Sequence, residues 1–160
     1  MINEAVLKAL QSRMRKLTMA GINAAARAEE LRAAIEESEA AIEAAAEEEA
    51  AALRENDKAV AEVKALADYI ENLVRGGEDQ ALVTVLKEEL AELESQQREA
   101  AQRLERLRAH TQALRDALKS NAGELASVEQ RHRQINDQAM KLREHIEKVV
   151  HRESDARARG

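Results

Sequence analysis

The sequence has no Cys, no Pro, no Trp and no Phe, and its one aromatic residue is Tyr69. Without Cys there is no disulfide, no thiolate nucleophile and no thiolate metal ligand, so side-chain redox chemistry is excluded. Strands and their turns draw on β-branched and aromatic side chains and on Gly and Pro. With only five Gly and no Pro, a sandwich or barrel is excluded. The missing aromatics also deprive a globular core of its largest side chains, so 160 residues that would suit one ordinary domain point instead to a thin, elongated core. No apolar run approaches the roughly 20 residues of a bilayer-crossing helix. Met1, Ile2, Asn3 and Glu4 do not begin the basic-then-apolar order of a secretory signal, so a cytoplasmic location is expected, with a membrane-peripheral one as its variant. A formal charge of −6 argues against attraction of the whole chain to phosphate backbones, and no nucleic-acid partner is expected.

What is present is charge and helical spacing. Charged residues make up 35% and apolar residues 44%, and Ala, Glu, Leu, Lys and Arg dominate, the composition of a coiled coil or very long helix. A 3,4 alternation of seam positions runs from Leu7 to Leu73 without a skipped step, through Leu31, Ile35, Val63, Leu66 and Ile70. It runs again from Leu86 to Val149, through Leu90, Leu93, Leu104, Leu118 and Leu125. Gly21 and Gly123 interrupt neither phase, and one interior Gly costs a helix only about 1 kcal/mol. Gly76 and Gly77 are different. They are adjacent, follow Arg75, and precede Glu78 and Asp79, a helix stop followed by a start.

The expected fold is all-α: one elongated hairpin over residues 1–160, with a helix from about 3 to 75, a turn at 76–79, a helix from about 79 to 152 and a polar tail at 153–160. Folded back antiparallel, positions whose numbers sum to 156 face each other. Small residues then meet large ones, Ala28 against Val128, Ser38 against Leu118 and Ala52 against Leu104. Charge tests the register independently: residues 29–49 hold nine Glu and one Arg, and 98–119 hold six basic residues against three acidic. The flanking positions place Glu39 near Arg115 and Glu55 near Arg103. Gln97, Thr111, Asn121 and His132 put polar layers in the seam, a device that fixes register. Residues 40–52 are so rich in Ala that two helices bury little there, which predicts a flexible waist or, preferably, a docking groove for further helices. Val6, Ile22, Val60, Leu82, Val85 and Val150 fall off the seam, and self-association is their simplest use.

Catalytic and ligand-binding constellations are weak. Glu129 and His132 have the spacing of a helical di-iron ligand pair, but only one copy exists where two are required. No glycine loop, nucleophile elbow or triad order appears, and a slender hairpin offers no deep pocket. No catalytic residue, metal site, cofactor or small-molecule substrate is therefore expected. Lys8, Arg13, Arg15 and Lys16 lie beside Val6, Leu7, Leu10, Met14 and Leu17. This segment could rest on an anionic membrane as a basic amphipathic helix, although completing the coiled coil is the preferred use.

The run Arg75-Gly76-Gly77-Glu78-Asp79-Gln80-Ala81-Leu82, with the heptads after it, resembles the hairpin tip of the phage shock protein A family of membrane-remodelling proteins. The resemblance covers roughly residues 60–118 and implies polymerisation of the ESCRT-III kind with membrane contact through an N-terminal helix. The family's proline-containing linker behind that helix has no counterpart, since Pro is absent. The tip is also similar to the coiled-coil insertion of large serine recombinases, without a zinc ribbon or catalytic domain. In size and shape the chain looks like the hairpin stalk proteins of flagellar and type III secretion ATPases. The expected function is that of a non-catalytic structural protein, a spacer, stalk or scaffold subunit that binds protein partners and forms a homo-oligomer. The alternatives are a polymer-forming peripheral membrane protein and a secretion-ATPase stalk.

Overall fold

A computed structural model describes residues 4–77 and 79–159. The chain is an all-α helical hairpin of two helices, α1 (Glu4–Arg75, 72 residues) and α2 (Gln80–Arg159, 80 residues). Both lengths follow from the interiors: no Pro occurs, and the seam apolar residues recur at the helical period.

The turn is built from local capping. Gly77 sits at φ 69°, the left-handed region that Gly enters without a Cβ penalty. Gly76 N–H donates to the Asn72 carbonyl at 3.0 Å and Gly77 N–H to the Val74 carbonyl at 3.3 Å, which satisfies acceptors that the helix end would leave open. Two residues on, Asp79 Oδ1 accepts the Ala81 N–H at 2.9 Å while its carbonyl accepts the Val83 N–H at 3.2 Å. Asp79 is thus the N-cap of α2. Glu78, also assigned to the turn from sequence, lies outside the described residues, as does Asn3 at the expected start of α1.

One boundary differs from the sequence expectation. Residues 153–159 are helical, not a polar tail, and α2 runs to Arg159. No Gly or Pro intervenes before Gly160, and the segment carries its own i,i+4 pairs: Arg157 Nη2 with Glu153 Oε1 at 3.7 Å, and His151 Nε2 with Asp155 Oδ2 at 3.5 Å. Polarity alone did not end the helix, because Ala and Arg are good helix formers.

The helices pack as two compact units, the first of Met1–Glu37 with Leu118–Gly160 and the second of Ser38–Ala117. In the first, Leu17, Ala24 and Ile135 form a buried cluster joined by Ala20, Val128, Ala139 and Leu142. Gly21 faces α2 there: a Cβ added at it would lie 3.6 Å from Ile135 Cγ2. In the second, Ala45, Ala52, Ile70, Val83, Leu104 and Thr111 are buried. Ala45 and Ala52 belong to the Ala-rich stretch, and they are buried all the same.

Candidate docking surfaces

Every seam position assigned from Leu7 to Leu73 and from Leu86 to Val149 is buried or half-buried. Leu31, Ile70 and Leu104 are buried; Ile35, Val63, Leu66, Leu86, Leu90, Leu93, Leu118 and Leu125 are half-buried, as befits a seam between only two helices. Val83 is a seam residue that the sequence reading missed. It lies one 3-residue step before Leu86 in the same phase, so the signal was there, and starting the count at Leu86 hid it.

The polar layers are handled in different ways. Thr111 is only 1% exposed, and its hydroxyl donates to the Leu107 carbonyl at 2.9 Å, so it brings no unmet polar group into the seam. His132 is half-buried with Nε2 3.4 Å from Asn136 Nδ2. Asn56 is the exception: its Oδ1 is buried without a hydrogen-bond partner.

Ion pairs bridge the helices on both flanks. Arg27 and Glu124 both precede an a position and meet at 2.8 Å; Glu55 and Arg103, again a like pair, meet at 3.5 Å. Arg32 and Glu129 both follow a d position and meet at 3.0 Å. Pairing between like flanking positions is what antiparallel helices allow. Hydrogen bonds to Glu124 first and Glu30 second push the Arg27 guanidinium above its ordinary pKa. Glu49, in the seam by phase, reaches sideways to Arg108 Nε at 3.5 Å. Among the described residues no ion pair joins Glu39 to Arg115. Glu129, with its carboxylate on Arg32, does not combine with His132, and no group of three or more His, Cys, Asp or Glu among the described residues is placed to hold a metal. No helix among the described residues is long and apolar enough to cross a membrane.

What the seam leaves outside is the candidate functional surface. In the first unit Val6, Met19, Ile22, Met140 and Val150 are exposed; in the second, Leu53, Val60, Tyr69, Val74, Leu82 and Val85. Leu53, Val60 and Val74 recur at heptad spacing on one flank of α1, so they share a face. The first unit also holds an open groove of about 770 Å³, lined by the half-buried Met14 and Ile146 and by the exposed Arg15, Thr18, Met19, Arg143 and Glu147. Lys8, Arg13, Arg15 and Lys16 are exposed, and only Arg15 lines the groove. Gly76, Gly77 and Asp79 at the turn are exposed as well.

Compared with family models, with curated proteins and with solved structures, the chain matches none.

Proposed function

We propose that the chain is a non-catalytic structural protein, a helical hairpin that assembles with copies of itself and presents its flanks to protein partners as a spacer, stalk or scaffold subunit. The observation that carries this reading is the contrast between a seam covered at every step and a set of large apolar side chains left outside it. Val60, Val74, Leu82 and Val85 are between 42% and 60% exposed, and no third helix among the described residues covers them. Apolar side chains that recur at one flank are the mark of a surface used against another protein. Light scattering across a dilution series tests the reading: the mass should rise above one chain as concentration increases, and a constant single-chain mass at all concentrations would refute self-assembly.

A second reading, a polymer-forming peripheral membrane protein of the phage shock protein A kind, draws on Lys8, Arg13, Arg15 and Lys16. All four are exposed, and none takes part in an ion pair among the described residues. Cations in this state favour an anionic surface by about 1 kcal/mol each. Flotation with anionic vesicles that is lost when these four become Glu would support this reading, and absence of flotation in the native chain would remove it.

A further inference from the structure

The groove in the first unit and one ridge of the second carry side chains of complementary character. The groove is lined by the apolar Met14, Met19 and Ile146 and by Arg15 and Arg143, with Glu147 beside them, so its lining carries a net positive charge. Lys8, Arg13, Lys16 and Lys148 add to the same part of the unit, and none of these cations has an acidic partner within ion-pair distance among the described residues. Along α1 in the second unit, Glu43, Ala46, Glu47, Ala50 and Leu53 follow one another at the 3- and 4-residue spacing of a single exposed helix face. Neither Glu43 nor Glu47 is paired among the described residues, whereas nearby Glu49 and Glu55 are spent on Arg108 and Arg103.

We infer that the groove takes the Glu43-to-Leu53 ridge of a second copy of this chain. The inference rests on the self-assembly proposed above and names its contact. Three features select this occupant. Leu53 is a large apolar side chain, 40% exposed, that suits a lining of Met and Ile, and Met adapts its shape to what it receives. Ala46 and Ala50 present no bulk, so a helix carrying them can sink into the groove. Glu43 and Glu47 then stand where Arg15 and Arg143 wait, and opposite charges across a partly desolvated contact fix register and speed encounter. The acidic and basic blocks that leave the chain with unpaired charge of both signs thereby find each other between molecules.

Charge reversal tests this directly, since all four charged positions are exposed and their replacement leaves the seam untouched. Arg15→Glu with Arg143→Glu should weaken self-association by about tenfold or more, because each reversal sets like charges against each other. Glu43→Lys with Glu47→Lys should do the same. Mixed in equal amounts, the two double variants should associate again, since the acidic groove of one meets the basic ridge of the other. Circular dichroism should show unchanged helicity for both. Raising salt from 0.1 to 1 M shortens the screening length from about 10 to about 3 Å and should weaken the native contact and the rescued one alike. If the native chain assembles and either double variant assembles equally well, or the mixture fails to recover, this contact is overturned while self-assembly stands. A native chain that is monomeric throughout overturns both. Groove variants that lose binding to anionic vesicles yet keep native self-association would overturn the contact and assign the basic lining to lipid.

Discussion

Three glycines of this chain should respond to one substitution, Gly→Ala, with opposite signs, and the structure supplies the reason for each. Gly123 lies in the interior of α2, and nothing stands within 4 Å of the Cβ it would acquire. Its replacement changes only helix propensity, a gain of about 0.8–1.0 kcal/mol. Gly21 lies within α1 and is buried; its new methyl would sit 3.6 Å from Ile135 Cγ2 and 3.7 Å from Asn136 Oδ1, ordinary contact distances. To the same propensity gain it adds a buried methyl, for a total of about 1–2 kcal/mol. Gly77 has φ 69°, where an L-residue with a Cβ loses about 1–2 kcal/mol, and open space around it offers no compensating contact. Urea and thermal denaturation, both followed by circular dichroism, read all three. The expected order is Gly21→Ala above Gly123→Ala above native above Gly77→Ala, with each 1 kcal/mol appearing as about 2–4 °C in Tm. A Gly21→Ala variant less stable than native would mean that the seam cannot hold a methyl beside Ile135, and the described packing of the first unit would be wrong. A neutral Gly77→Ala would mean that the turn does not depend on a left-handed residue.

The remaining predictions concern the seam and its flanks. Leu31→Ala, at a side chain 2% exposed, should cost about 3 kcal/mol, while Val74→Ala, 56% exposed, should fall within about 0.5 kcal/mol in dilute solution; equal losses would contradict the seam assignment. Asn56→Leu removes a buried, unpartnered oxygen and should raise stability by about 1 kcal/mol, measured by urea titration; a loss would mean that Asn56 finds a partner in solution. A double-mutant cycle on Arg32 and Glu129, 3.0 Å apart but exposed, should give a coupling of about 0.2–1 kcal/mol, and a larger value would give flank charge more than an alignment role. Glu55→Cys with Arg103→Cys, treated in dilute solution with a short bismaleimide, should join within one chain, and purely intermolecular products would rule out the antiparallel register.

The hairpin was legible because its signals are periodic and local. A phase unbroken for about 18 turns of helix identifies a seam whatever the individual residues, which is why even Glu49 and Asn56, at its phase, are half-buried. The turn was legible for a different reason, the pairing of Gly77 with a capping acid two residues later. The helical end of α2 was not, since the segment from Glu153 to Arg159 is polar in composition yet has helix-forming residues and i,i+4 partners, and composition was given too much weight there. Nor was the groove, because Met14 and Ile146 are ordinary seam positions, and its lining combines them with flank residues of both helices such as Met19 and Arg143. Individual ion pairs were half legible: register brings Glu55 to Arg103, but Glu49, a seam position by phase, pairs with Arg108, a partner the seam count does not indicate.

The capped turn also sets the order in which the arms can meet. The Glu55–Arg103 contact spans 48 residues of chain and the Arg27–Glu124 contact 97. Closing the longer loop directly costs only about 0.6 kcal/mol more than the shorter one, since closure entropy grows with the logarithm of length. Once the shorter is made, the 28 residues of α1 and 21 of α2 that separate it from the longer can close through the seam positions between them, about a heptad at a time. Pairing that starts at Gly77 therefore advances like a zip, and during synthesis α1 must wait with its apolar stripe bare until the first turns of α2 emerge to begin it.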